Sequence, residues 1–208
     1  MTENILGIDP GFTGALGLVT STGRCVVWDM PVLEGRDALD RQREINLPRL
    51  HDLFVQLRTT TLNLRVGVEW PTTRPGEGAE RSERFGRQKG LLEGLLYALR
   101  IKYEKLSPQL WKGRLGLPGK TDAQALPLAA KLFDTYYPGY TALIRGPRGG
   151  ILGGRVEALL IAHYLRVQTL GGIEALKQEF GTGSVQMQAL MLGGGRQRRG
   201  RMRIKHIK

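Results

Sequence analysis

The sequence predicts an α/β domain in which helices flank a mixed sheet of five strands, and three observations carry this prediction. Residues 4–9, 14–20 and 24–30 are apolar runs separated by Pro-Gly and Ser-Thr-Gly turns, which is typical of an antiparallel meander. A segment with helical spacing of apolar residues then precedes a further strand at 64–69. Beyond it, helical patterns alternate with one short strand. The predicted order is three strands, a helix, a strand, a helix, a short strand and then helices only.

The later elements follow from apolar periodicity and helix start signals. Leu47, Leu50, Leu53, Phe54 and Leu57 indicate the first helix. The segment from Trp70 to Arg84 is rich in Pro, Gly and charge, which favours a loop. After it we expect a helix over 85–99, a strand over 101–106, a helix opened by Ser107-Pro108, a helix from Thr121 to Phe133, and a last helix from Glu157 to Val167.

Length and charge define the organisation and the class of partner. The 208 residues suit one domain over 1–170, followed by a C-terminal extension over 171–208 whose tail, from about 193, is expected to be disordered. The formal net charge is +12, and seven of the cations lie after residue 195 without any acid. Such a balance favours a polyanionic partner, nucleic acid rather than membrane.

Several classes of protein are excluded at this level. Cys25 is the single cysteine, so neither a disulfide framework nor a cysteine-based zinc site is expected. No run is long enough for a membrane span, and the first strand begins too early for a secretory signal. We therefore expect a cytoplasmic protein of a bacterial cell or of a virus-infected host.

Three acids stand at the ends of predicted elements. Asp9 ends the first strand before Pro10-Gly11, Glu69 ends the strand over 64–69, and Glu157 opens the last apolar helix. Taken singly, each has an ordinary explanation: a turn-forming Asp, a solvated strand end and a helix N-terminal acid. Together they predict one site with hard oxygen ligands.

This order of strands, helices and acids resembles the ribonuclease H-like nuclease fold. Within it the chain is similar to the RuvC-type Holliday-junction resolvases, and most to their bacteriophage-type relatives, over roughly residues 4–167. The matching segments are Gly7-Ile8-Asp9-Pro10-Gly11, Val68-Glu69, Phe85-Gly86-Arg87 leading into Gly90-Leu91-Leu92-Glu93-Gly94, Pro108-Gln109-Leu110-Trp111-Lys112, and residues 154–162 around Glu157.

The chain departs from the family's pattern at one point. Relatives place an additional Asp or His a few residues before the last acid, where this sequence has Ile151-Leu152-Gly153-Gly154. Three explanations remain open: three acids and water suffice, Asp122 substitutes as a reserve acid, or the site is impaired. Asp122 itself is more simply explained as a partner of a helix dipole.

The resemblance implies the chemistry and the contacts. Asp9, Glu69 and Glu157 would be both the catalytic residues and the ligands of two Mg²⁺ or Mn²⁺ ions per site, with Asp9 bridging the two. A homodimer is implied, since a four-way junction is cut twice. The implied DNA contacts are Trp70, Arg74, Arg81, Arg84, Phe85, Lys89, Lys112, Lys120 and Arg155. The tail lies outside the resemblance, and its charge alone predicts DNA contacts from Arg196, Arg198, Arg199, Arg201 and Arg203.

The sequence thus predicts a divalent-metal-dependent endodeoxyribonuclease that resolves Holliday junctions and related branched DNA. Two alternatives stay open. One is a broader debranching or flap nuclease. The other is a junction-binding protein with an impaired active site.

Overall fold

A computed structural model of the chain describes residues 3–33, 44–71, 78–117 and 122–171, without the side chains of residues 80, 81 and 122–124. The main sheet has five strands, β1 (Asn4–Asp9), β2 (Ala15–Val19), β3 (Cys25–Asp29), β6 (Leu64–Glu69) and β7 (Glu104–Leu106), in the order β3-β2-β1-β6-β7. The first three strands pair antiparallel, and β6 pairs parallel with both β1 and β7. The predicted mixed sheet of five strands is confirmed.

Two short strands form a separate small sheet that the sequence pattern did not predict. They are β4 (Val32–Leu33) and β5 (Glu44–Ile45), which pair antiparallel. A strand of two residues is too short to show the period of two on which strand prediction depends.

The helices are α1 (Leu47–Thr60), α2 (Ala79–Ala98), α3 (Pro108–Arg114), α4 (Asp122–Tyr136) and α5 (Gly153–Thr169), with a 3₁₀ helix, η1 (Pro138–Ile144), between the last two. Helix α2 begins at Ala79 rather than at residue 85, because the charged residues assigned to the loop are good helix formers. The strand predicted over 101–106 is limited to Glu104–Leu106. Among the described helices, none is both long and apolar enough to cross a membrane.

Alternation along the strands divides the core into two layers. Ile5 belongs to the apolar cluster that includes α4 and α5, whereas Leu6 and Ile8 belong to the cluster that includes α1 and α2. On β6, Val66 and Val68 also face α1 and α2. Because successive side chains point to opposite faces of a sheet, the residues that end β1 and β6 face α5.

A row of glycines lets α5 approach the sheet closely. Gly7 on β1 lies in register with Gly17 on β2 and with Gly67 on β6. A Cβ atom on Gly7 would lie 2.1 Å from the carbonyl oxygen of Ala158, and one on Gly17 would lie 2.7 Å from the amide nitrogen of Leu159. Larger residues would push α5 away, so this row determines how near the helix comes to the strand ends.

Candidate active site

Two of the predicted acids end neighbouring parallel strands. Ile8 on β1 is in register with Val68 on β6, and Asp9 and Glu69 are the next residues of the two strands. Both therefore lie at the same edge of the sheet and on the face covered by α5. Glu69 is buried and Asp9 is half-buried. One oxygen of Asp9, Oδ1, also accepts a hydrogen bond of 3.2 Å from the amide of Gly11, as expected of an Asp in a turn.

The third acid comes from the second turn of α5. Glu157 is half-buried and extends toward the same edge of the sheet, where it is bonded to Lys112. Helix α5 begins at Gly153, not at Glu157 as the sequence suggested. Its early start brings Gly154 against the turn after β1, where a Cβ atom would lie 2.1 Å from the carbonyl oxygen of Thr13 and 2.6 Å from Cα of Gly14. Position 154 therefore has no room for the additional acid that the resemblance leads us to expect nearby.

A lysine lies among the three carboxylates. The ammonium of Lys112, on α3, donates a hydrogen bond of 2.6 Å to Oε1 of Glu157 and lies 3.7 Å from Oε1 of Glu69. Burial lowers the pKa of Lys112, but the charges of Glu157, Glu69 and Asp9 outweigh it and hold that pKa above its ordinary value. The residue predicted to contact a phosphate therefore belongs to the acidic cluster itself.

The cluster changes the protonation of its acids. Burial, followed by the charge of Glu157, raises the pKa of Asp9 to about 6, against the lowering effects of the Gly11 amide and Lys112. Burial and the charge of Glu157 likewise raise the pKa of Glu69 to about 7. Carboxylates whose pKa is raised this far are stabilised most by a bound cation. The cation offsets the repulsion between them and displaces the bound proton.

Trp111 was given no role by the sequence, yet it contacts the cluster directly. Its indole Nε1 donates a hydrogen bond of 3.1 Å to Oε1 of Glu69, and both side chains are buried. The spacing of Trp111 next to Lys112 on α3 was the available signal, although a tryptophan at helical spacing most often belongs to the core.

The donors fit a hard divalent cation in type, although they are not already arranged around one. Carboxylate oxygens are what Mg²⁺ and Mn²⁺ prefer. Among the described residues, however, no group of three or more Asp, Glu, His or Cys side chains has the geometry of a metal site. The ammonium of Lys112 lies between two of the acids, so a metal ion here must either displace this ammonium or bind beside it.

On the opposite face of the sheet, at the end of β6, aromatic and basic side chains come together. The ammonium of Lys105 lies 4.1 Å from the ring centroid of Trp70, and that of Lys89 lies 5.1 Å from the same ring and 4.7 Å from the ring of Phe85. Lys89 also donates a hydrogen bond of 3.1 Å to the carbonyl oxygen of Pro71. We call Trp70, Phe85, Lys89 and Lys105 the aromatic–lysine surface; the sequence predicted all of it except Lys105.

Arg155, a predicted DNA contact, forms an ion pair within the fold. Its Nε and Nη2 donate to the two carboxylate oxygens of Asp29, both at 2.6 Å, and its Nη1 donates to the carbonyl oxygen of Leu143 at 3.1 Å. These bonds tie the first turn of α5 to the end of β3 and to η1. The structure thus gives Arg155 a structural role that sequence reasoning missed.

The remaining predicted residues divide into two groups. Asp122 begins α4 and Arg81 belongs to α2, but their side chains lie outside what the structure describes, while Arg84 is exposed on α2. The second group lies outside the described residues altogether and consists of Arg74, Lys120 and the tail residues Arg196, Arg198, Arg199, Arg201 and Arg203.

Comparison with known proteins finds similarity at the level of structure. No family model matches the chain, and no curated protein matches it. RuvC from T. thermophilus, solved in complex with a Holliday junction substrate, matches with a TM-score of 0.51 and 17% identity over 81% of this chain and 96% of that one. A further Thermus thermophilus RuvC structure matches with a TM-score of 0.43 and 22% identity, over 81% of this chain and 96% of that one. The yeast mitochondrial Holliday junction resolvase Ydc2 matches with a TM-score of 0.47 and 20% identity, over 91% of this chain and 85% of that one.

The order of strands, the helices on both faces of the sheet and the similarity to the RuvC complex define a ribonuclease H-like fold. Within that class, the fold is that of a RuvC-type resolvase, as the motifs predicted.

Proposed function

We propose that the protein is a divalent-metal-dependent endonuclease that resolves Holliday junctions and related branched DNA. The observation that carries the proposal is the meeting of Asp9, Glu69 and Glu157 around Lys112 at one edge of a ribonuclease H-like sheet. The three acids come from three different elements, and the fold brings them together on one face. A purely structural role would not require that buried and half-buried charges that repel one another converge in this way.

The chain's own residues suit phosphodiester hydrolysis. A divalent ion held by Asp9 and the two glutamates would activate a water molecule and stabilise charge on the phosphate. Trp111 holds Glu69 in place through its indole N–H, and the ammonium of Lys112 supplies a positive charge within the cluster of acids. Since the pKa values of Asp9 and Glu69 are raised to about 6 and about 7, binding of the ion would release protons near neutral pH.

The aromatic–lysine surface supports nucleic acid as the substrate. Trp70 directly follows Glu69 at the end of β6, its ring packs on the α1 and α2 side of the core, and the ammonium groups of Lys89 and Lys105 lie over that ring. Aromatic rings stack on unpaired bases, whereas lysines attract phosphates without reading sequence. We propose that this surface contacts DNA at the branch point. The basic tail, outside the described residues, would add affinity that depends on salt.

An open face of α2 supports the proposed homodimer. Gly86, Gly90 and Gly94 recur every four residues, and a Cβ atom on any of them would meet nothing within 4 Å among the described residues. Each glycine costs about 1 kcal/mol relative to alanine inside a helix, and no contact within the described chain explains that cost. Tyr97, which is 69% exposed, extends the same face. Close packing of this face against a second copy would place two sites on one junction.

Whether the open face of α2 forms the dimer contact can be tested by measuring the size of the protein in solution. Gly90→Arg should convert a dimer to a monomer in sedimentation velocity, because the arginine would occupy the contact surface. Gly139→Arg is the matched control, since Gly139 is also a glycine with nothing within 4 Å of its Cβ position but lies on η1. A dimer that persists in Gly90→Arg would refute this interface.

The decisive experiment for the function is nicking of a synthetic four-way junction with Mg²⁺, with Mn²⁺ or with EDTA. Linear duplex, Y-forms and flaps of matched length would be compared at the same salt concentration. We expect symmetric, metal-dependent cuts in the junction, loss of those cuts in Asp9→Asn with binding retained, and unchanged cuts in Asp52→Asn. Asp52 is a suitable control because its carboxylate is exposed on α1. Cleavage retained by Asp9→Asn would refute the assignment of the site.

The same experiment separates two alternatives. Equal cutting of flaps and Y-forms would indicate a broader debranching nuclease. Tight junction binding without cuts would indicate a junction-binding protein with an impaired site, and the lack of room at Gly154 for an additional acid specifically favours this second candidate. Membership of the bacteriophage-type branch and a cytoplasmic location remain predictions.

A further inference from the structure

The acidic cluster already contains one positive charge of its own. The ammonium of Lys112 is within 2.6 Å of Glu157 and 3.7 Å of Glu69, and the charge of Asp9 also acts on it. A hydrogen-bonded ammonium at such a distance neutralises a carboxylate and competes with a metal ion for the same oxygen. Lys112 can therefore neutralise part of the negative charge that a metal ion would otherwise neutralise.

The residues that the structure describes offer few ligands for two metal ions. A pair of ions about 3.5–4 Å apart needs oxygen donors on both sides and usually a carboxylate between them. Here three carboxylates meet, and Lys112 engages two of them. Gly154 offers no position for a fourth, because its Cβ atom would lie 2.1 Å from a backbone oxygen of the turn after β1.

We propose that Lys112 supplies the second positive charge of the active site, so that the free protein binds a single divalent ion per chain. The inference rests on the proposed nuclease function and revises the expected number of ions from two to one. Lys112 would remain beside Glu157 while the ion binds at Asp9 and the adjacent acids.

The charges support one ion rather than two. Three ionised carboxylates are balanced by one divalent ion together with one ammonium. A second divalent ion would leave an excess of two positive charges in a partly buried cluster before DNA arrives. Uncompensated charge away from water is strongly unfavourable, so the second ion should bind much more weakly.

The test is a titration of the free protein with Mn²⁺, followed by electron paramagnetic resonance of the unbound ion. We expect one Mn²⁺ per chain in the wild type. Lys112→Met removes the competing ammonium, so it should bind the first Mn²⁺ about tenfold or more tightly and admit a second. Lys112→Arg, which keeps the charge, should still bind one. A merely structural role for Lys112 would weaken metal binding on mutation rather than strengthen it.

Arg65→Met is the matched control. Arg65 forms an ion pair of the same length, 2.6 Å, with Glu104, and neither residue belongs to the acidic cluster. We expect its uptake of Mn²⁺ to equal that of the wild type in the absence of DNA. Far-UV circular dichroism of each variant verifies folding before titration.

The outcomes separate this inference from the proposed function. Two ions of similar affinity in the wild type, together with metal-dependent nicking, would overturn the single-ion inference and leave the nuclease intact. If Asp122→Asn then reduced the number of bound ions to one, Asp122 would be the extra ligand, and the inference would equally be overturned. No Mn²⁺ bound and no nicking would refute both. A single ion, with nicking that depends on the first power of Mn²⁺ concentration, would support both.

Discussion

The indole Nε1 of Trp111 donates a 3.1 Å hydrogen bond to Oε1 of Glu69, and both residues are buried. Trp111 is next to Lys112 on α3, so this one short helix contacts Glu69 twice, once through a neutral donor and once through an ammonium at 3.7 Å. Helix α3 therefore orients the carboxylate that ends β6. A hydrogen-bond donor that holds a carboxylate in this way determines the direction in which the carboxylate oxygens point.

Trp111→Phe should reduce junction cleavage by about 10- to 100-fold, because Glu69 loses the donor that orients it. Binding of the junction should remain within about twofold of the wild type, since Trp111 is fully buried and cannot reach DNA. Single-turnover cleavage and a gel-shift titration measure the two quantities. Trp28→Phe, on β3 and away from the acids, is the matched control. Equal cleavage by the two variants would contradict a positioning role.

Gly154→Asp should not restore an additional acid to the site, although Gly153→Asp should fold normally. The Cβ atom at 154 would overlap backbone atoms of Thr13 and Gly14, whereas at 153 the nearest neighbour is a methyl group of Leu126 at 3.5 Å. Such overlap costs about 1–3 kcal/mol or more, since backbone atoms cannot move aside. Thermal denaturation of both variants tests this expectation. The same melting temperature for the two would show that the backbone around Gly154 can move to accommodate the side chain.

Sequence reasoning reached the sheet and the three acids because each has a local signature. An apolar run that ends in Asp9 or Glu69 is visible within a few residues, and so is an apolar helix that follows Glu157. The resemblance implied in addition that these three acids meet at one site.

What the sequence did not show depends on contacts between distant segments. Arg155 and Asp29 are separated by 126 positions, and nothing near either residue indicates the other. The start of α5 at Gly153 and Gly154, two poor helix formers, likewise follows from the close contact of Gly154 with the turn after β1. The resemblance predicts the ammonium of Lys112 at a phosphate, because local sequence cannot show that Glu157 lies 2.6 Å away.

The ion pair between Arg155 and Asp29 should stabilise the fold modestly. The pair is bidentate, but the side chain of Asp29 is 61% exposed, so solvent screens much of the attraction. We expect a coupling free energy of about 1 kcal/mol in a double-mutant cycle of Asp29→Asn and Arg155→Met, measured by urea denaturation. Additive effects of the two substitutions would show that the pair contributes nothing.

The buried His163 of α5 should make the fold sensitive to mild acid. Its Nδ1 is 2.9 Å from the hydroxyl of Tyr137, and its ring lies 4.0 Å, centroid to centroid, from that of Tyr136. Burial, assisted by the charge of Arg166, lowers the pKa of His163 from 6.5 to about 3. Between these two values the unfolded chain binds a proton that the folded chain does not. The free energy of unfolding should therefore fall as the pH decreases through that range, by about 1.4 kcal/mol per pH unit from this residue.

His163→Gln isolates this contribution, because glutamine does not titrate. The variant will be less stable at pH 7, so the informative quantity is the slope of unfolding free energy against pH, measured by urea denaturation between pH 6 and pH 4.5. The slope should be smaller in His163→Gln than in the wild type by about 1.4 kcal/mol per pH unit. His51→Gln, which removes an exposed imidazole from α1, is the matched control. The same slope in His163→Gln and wild type would mean that His163 accepts a proton while the protein stays folded.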